Sequence, residues 1–113
     1  PHPRLWGTFP RVLGHYARDV GLFSLEEAVR RMTSLTADRF GLTGRGRIAA
    51  GAFADLVVFD PETVADEATF DAPAVPASGI DTVFVNGQII WRDGAPTGAR
   101  PGRALRRQQL AND

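Results

Sequence analysis

The chain has 113 residues, one domain's worth, with 43% apolar and 23% charged residues and a formal net charge of zero. That balance excludes a disordered polyelectrolyte and leaves no overall field to draw the chain onto nucleic acid or a membrane surface. There is no cysteine, which removes disulfides, thiolate nucleophiles and cysteine metal sites together.

The first segment, Pro1-His2-Pro3-Arg4-Leu5-Trp6-Gly7, reads as extended, because residues before prolines are pushed out of the helical region. Such a segment has no obvious structural beginning and predicts that the chain continues from a longer protein. Thr8 then caps a helix with Pro10 in its first turn, and Phe9, Val12, Leu13, Tyr16 and Val20 recur at helical spacing up to Gly21. Ser24 and Glu27 form an S-x-x-E capping box, which predicts two reciprocally satisfied backbone donors. Behind it, Leu25, Ala28, Val29 and Met32 line one face, and Glu26, Arg30 and Arg31 the other. Thr33-Ser34 interrupts, and a short helix from about Leu35 to Phe40 is stopped by Gly41.

The stretch Gly44 to Asp60 changes the architecture. Glycines at 44, 46 and 51 keep it loose, and Leu56-Val57-Val58-Phe59 then reads as a short strand buried on both faces, ended by Asp60-Pro61. Residues 61–79 carry scattered acids and prolines and read as a surface loop, with one short strand near Thr63. Ile80 to Val85 and Gln88 to Trp91 flank Asn86-Gly87, the preferred pair for a type I′ hairpin. Large apolar groups on both faces of this hairpin predict that it is covered on both sides. Arg92-Asp93-Gly94 makes a further turn, and the tail carries arginines at 100, 103, 106 and 107.

Most candidate chemistry has a plain structural reading. The glycines at 44, 46 and 51 match neither a dinucleotide nor a P-loop spacing, so they read as turns. His2 and His15, the two histidines, make no recognised metal pair. Asp55 reads as an acceptor for turn amides ahead of its strand. The arginine tail has no interleaved aromatic and reads as solvated or resting on a neighbouring surface rather than on nucleic acid. No apolar run approaches the eighteen or so residues of a membrane span, and no signal peptide is visible, which predicts a cytoplasmic protein. Arg4 stands out: a guanidinium in a proline-stiffened, aromatic-flanked segment can grip a carboxylate with two hydrogen bonds, although by itself it reads better as half of a surface ion pair.

A resemblance resolves part of this. His2-Pro3-Arg4 followed by Leu5-Trp6-Gly7-Thr8-Phe9-Pro10-Arg11-Val12-Leu13-Gly14 closely resembles a segment of the N-acyl-D-amino-acid deacylase (D-aminoacylase) family. Ser24 to Val29, Thr33 to Leu42, Gly46 to Asp60 and Gly79 to Gly87 resemble the C-terminal end of the wider amidohydrolase superfamily. The resemblance implies an α/β parent: helices at about 8–41 that end a metal-dependent (β/α)₈ barrel, then strands at about 46–95 of a composite β-sandwich. Its divisions are 1–43 in the barrel part, 44–98 in the sandwich and 99–113 as a basic tail.

In that family a zinc-activated water attacks the amide of an N-acyl-D-amino acid, releasing a carboxylate and a free D-amino acid. The resemblance places the zinc ligands and the catalytic aspartate upstream of Pro1, so no catalytic or metal-binding residue is expected in this chain and the isolated 113 residues are expected to be inactive. It assigns Arg4 to the substrate's α-carboxylate, with His2 beside it at the pocket mouth. The implied partners are the N-terminal portion of the enzyme and the small-molecule substrate. The alternatives are a β-rich interaction module without catalysis, and the same region of a hydantoinase-like or dihydroorotase-like amidohydrolase.

Overall fold

A computed structural model describes residues 2–106; Pro1 and the end of the tail, Arg107 included, lie outside the described residues. Helices come first and a four-stranded antiparallel sheet follows. Helix α1 (Arg4–Arg11) runs directly into a π-helical segment, Val12–Asp19. The extended start expected from the prolines is therefore wrong from Arg4 onward. Pro3 sits in the right-handed helical region, φ −55° and ψ −28°, as the residue before a helix, where its missing donor costs nothing. Arg4, Leu5, Trp6 and Gly7 do not precede a proline, so nothing keeps them extended. Pro10 lies inside the helix instead of in its first turn and cannot donate to the Trp6 carbonyl. Two residues later the bonding widens, and the Val20 amide reaches the His15 carbonyl at 2.8 Å.

Helix α2 (Leu25–Met32) begins as expected, with the Glu27 amide donating to the Ser24 hydroxyl oxygen at 3.1 Å. The capping box is only half made. The Glu27 carboxylate turns outward to Arg30 and Arg31, 2.7 and 3.0 Å away, and these two pull its pKa down to about 2. Thr33 breaks the helix with φ −124° and ψ −89°, and α3 (Ser34–Phe40) ends at Gly41 in the left-handed region.

Strand β1 (Leu56–Phe59) pairs with β2 (Ile80–Val85), which pairs with β3 (Gln88–Arg92) and then the two-residue β4 (Ala95–Pro96). Asn86 and Gly87 take φ of 48° and 79°, the left-handed pair that a type I′ turn requires. Asp93 and Gly94 repeat that geometry at 55° and 78°, and this second turn leads into β4. The register shifts once along each long pair, between Val58 and Phe59 on β1 and between Val83 and Phe84 on β2, leaving one residue bulged at each place. The strand expected near Thr63 is reduced to a single bridge between Ala65 and Ser78.

The core lies where the helices meet the loop after β1. Leu13, Ala17, Ala28 and Val64 are buried, with Val12, Phe23, Met32, Phe59 and Ile80 packed against them. Val64 is fully enclosed. A Cβ on Gly14 would stand 2.3 Å from the Val64 carbonyl oxygen, so only glycine admits that approach. The Arg18 guanidinium donates to the same oxygen at 2.8 Å.

The sheet contradicts two expectations. Val57 and Val58 are about half exposed, 52% and 51%, instead of buried on both faces. β1 is an edge strand, and among the described residues no element covers its second edge. The hairpin is likewise half-buried rather than covered on both sides, with only Thr82 buried among its strand residues.

Candidate functional site

His2, Pro3 and Arg4 form a corner at the start of α1. Pro3 is buried and anchors it, while His2 and Arg4 are exposed on either side. The Arg4 amide, one of the orphan donors of the first turn, donates to His2 Nδ1 at 3.1 Å. That bond requires an unprotonated Nδ1. The Thr8 hydroxyl donates to the Arg4 carbonyl at 2.7 Å, which fixes the residue from its other end. The five ion pairs among the described residues, at Asp19, Glu27 (twice), Asp38 and Asp55, leave Arg4 out. Its guanidinium is thus held on a fixed backbone without a carboxylate partner among the described residues.

The loop between β1 and β2 comes back to this corner. Asp66 packs against Gly7 so closely that a Cβ there would lie 1.8 Å from its carboxylate oxygen. Beyond it, the Phe70 ring meets the His2 ring edge to face, with centroids 5.2 Å apart and planes at 80°. Phe70 was not singled out from sequence. The available signal was a lone aromatic in a stretch otherwise made of small, acidic and proline residues.

A second constellation ties the strands together. Asp55 does not accept from amides ahead of its own strand, as the sequence suggested. It accepts from the Asn86 amide in the hairpin turn at 2.8 Å and pairs with Arg45. The Arg45 guanidinium also donates to Asn86 Oδ1 at 2.9 Å and lies 4.0 Å from the centroid of the Phe53 ring. The Asn86 side-chain amide donates to the Pro101 carbonyl at 2.8 Å, so the chain after β4 is held too. Burial pushes the Asp55 pKa up, but the Asn86 amide and the Arg45 guanidinium outweigh it and hold the carboxyl below its usual range. With no buried side-chain polar atom left without a partner among the described residues, this cluster reads as a structural tie rather than a site. The glycines at 44, 46 and 51 all take positive φ, as turns do, in the loop that delivers Arg45 and Asp55.

Beside that tie opens an apolar groove of about 770 Å³, lined by Phe9, Leu13, Met32, Ile48, Val57 and Val83 among others. Ile48 is 91% exposed at its edge. Among the described residues, no group of three or more His, Cys, Asp or Glu side chains stands where it could hold a metal ion. No helix among them is long and apolar enough to cross a membrane.

Comparison with known proteins agrees with this order of helices and sheet. A D-aminoacylase from Alcaligenes xylosoxydans xylosoxydans is 67% identical over 107 residues, covering 95% of this chain and 22% of the relative. A crystal structure of D-aminoacylase superposes with a TM-score of 0.93 at 63% identity, over 95% of this chain and 23% of that one. N-acyl-D-glutamate deacylase from Bordetella bronchiseptica, solved with zinc and a phosphonate mimic of the tetrahedral intermediate, gives 0.87 at 54% identity, over 94% of this chain and 22% of that one. The chain thus spans about a fifth of the length of the proteins it matches. The family model described as the amidohydrolase family matches residues 1–91, most of the sequence, and the chain belongs to that family.

Proposed function

We propose that this chain is the C-terminal portion of a zinc-dependent, cytoplasmic amidohydrolase that hydrolyses N-acyl-D-amino acids. Water adds across the amide, giving a carboxylate and a free D-amino acid. The observation that carries the reading is the 67% identity, over 95% of the chain, with a relative named D-aminoacylase. In this reading residues 1–43 complete a (β/α)₈ barrel, 44–98 complete a β-sandwich and 99–113 form a basic tail. The zinc ligands and the catalytic aspartate belong to the part of the enzyme outside this chain.

Arg4 supplies this chain's contribution to the substrate site. Its guanidinium receives the α-carboxylate through two charge-assisted hydrogen bonds, with His2 beside it at the pocket mouth. The exposed and unpaired state of Arg4 among the described residues supports this, because its fork of N–H donors has no carboxylate there competing with the substrate's. The bare groove supports the larger claim, since a partner surface would cover Ile48 and Val57. Arg4→Met in the full-length enzyme is the test. The expected result is a loss of kcat/KM for N-acyl-D-amino acids worth on the order of 3 kcal/mol, from a substrate carboxylate left without its partner. An unchanged kcat/KM removes the assignment.

A further inference from the structure

We propose that Phe70 is a positioning residue for substrate binding: from the loop between β1 and β2 it holds the His2 ring, and through it the backbone of Arg4. This rests on the reading of Arg4 as the group that receives the substrate's α-carboxylate.

Phe70 has no role in the core. Its side chain is 81% exposed, yet its ring packs on His2 at 5.2 Å in edge-to-face geometry. The loop that carries it is braced at both ends. At its base Ala65 and Ser78 exchange backbone hydrogen bonds of 3.1 Å, and the Ser78 hydroxyl donates to the Glu67 carboxylate at 2.7 Å. At its tip the Thr69 amide donates to the Ala72 carbonyl at 3.0 Å, and the Ala72 amide to the Thr69 hydroxyl oxygen at 2.9 Å. These bonds close a turn with Phe70 and Asp71 at its apex. Asp66, steadied by the Ala68 amide at 2.9 Å, seats the near side of the loop on Gly7.

A loop braced in this way, with an exposed aromatic at its apex, is a fixed support for the ring it touches. That ring in turn accepts the Arg4 amide at 3.1 Å. Without Phe70 the imidazole is free to rotate off that bond, and the first turn of α1 loses a cap. Arg4 then spends less of its time in the geometry that grips a carboxylate, and small misplacements of such groups are costly. The effect belongs to binding of the charged substrate end, so it falls on KM more than on kcat.

The test compares an N-acyl-D-amino acid with its neutral α-carboxamide counterpart in the full-length enzyme. Phe70→Ala is expected to lower kcat/KM for the acid about two- to tenfold, the range of one aromatic pair, mainly through KM. It leaves the carboxamide unchanged and adds little on top of Arg4→Ala. Phe70→Tyr, which keeps the ring, restores the wild-type value. Equal losses on both substrates, or no loss from Phe70→Ala while Arg4→Ala discriminates them, overturns the role of Phe70 alone. If Arg4→Ala itself fails to discriminate acid from carboxamide, the carboxylate reading is wrong and this inference goes with it.

Discussion

The two sides of β1 are finished in opposite ways. Its entrance is tied down: Asp55, Arg45, Asn86 and Phe53 satisfy one another within the chain. Its body is left bare, with Val57 and Val58 half exposed and Ile48 almost wholly so beside an apolar groove. A chain selected to stand alone would cover the apolar side as carefully as the polar one, because a large contiguous apolar patch marks a surface that meets another. The contrast teaches that the polar ties set the shape of this chain, while under the proposed function the apolar face is where the rest of the enzyme would pack.

Four experiments break or sharpen that contrast. The largest effect is expected from Val57→Asp. In the isolated chain the aspartate reaches water, and unfolding by urea should change by no more than about 0.5 kcal/mol. In the full-length enzyme the same substitution buries an unpaired charge and should destabilise by on the order of 3 kcal/mol. Equal small effects in both would mean that the groove stays open. Next comes Arg45→Ala, which leaves the Asp55 carboxylate with the Asn86 amide alone and removes the stack on Phe53. It should cost about 1–3 kcal/mol in either context, because the tie is complete within the chain. A cost confined to the full-length enzyme would erase the distinction between the two sides.

Smaller again is Ser24→Ala, a lost helix cap expected to cost about 1 kcal/mol, read from the thermal midpoint. The smallest effect is a pH dependence. Glu27 has its pKa lowered from 4.5 to about 2 in the folded chain, so its contribution is complete above 4.5 and drains as pH falls toward 2. Asp55, also lowered, loses its contribution in the same direction as acid is added. Circular dichroism between pH 6 and pH 2 should show helical signal falling, and Glu27→Gln should flatten that fall.

What was legible in the sequence was what is decided locally. Ser24 caps because its hydroxyl meets an amide three residues on, Gly41 stops α3 because it can turn left-handed, and Asn86-Gly87 makes a hairpin by itself. The first turn of α1, Arg4 to Gly7, was missed because a rule about residues before prolines was extended to four residues that precede none, and the helix was started at Thr8 instead. Asp55 was read as serving its neighbours, whereas its amide partner lies at residue 86, reached only after β2 has paired. The bare face of Val57 and Val58 was invisible for a different reason. An apolar run says that a strand is meant to be covered, and does not say by what.

The candidate corner was half legible. Arg4 could be named from its proline-flanked setting and from a resemblance, and the turn onto which its amide is capped could not. Phe70 lies in a stretch without periodicity, and its meeting with His2 depends on how a long loop returns across the helices.

The central claim is that this chain is a supporting and substrate-gripping part whose reactive centre is carried elsewhere in the enzyme. Purify the 113 residues alone, then co-fold them with the preceding portion of the D-aminoacylase relative. Measure bound zinc by elemental analysis and turnover of an N-acyl-D-amino acid in both samples. The account predicts neither in the isolated chain and both in the reassembled protein. Stoichiometric zinc with deacylase turnover from the isolated chain would contradict it.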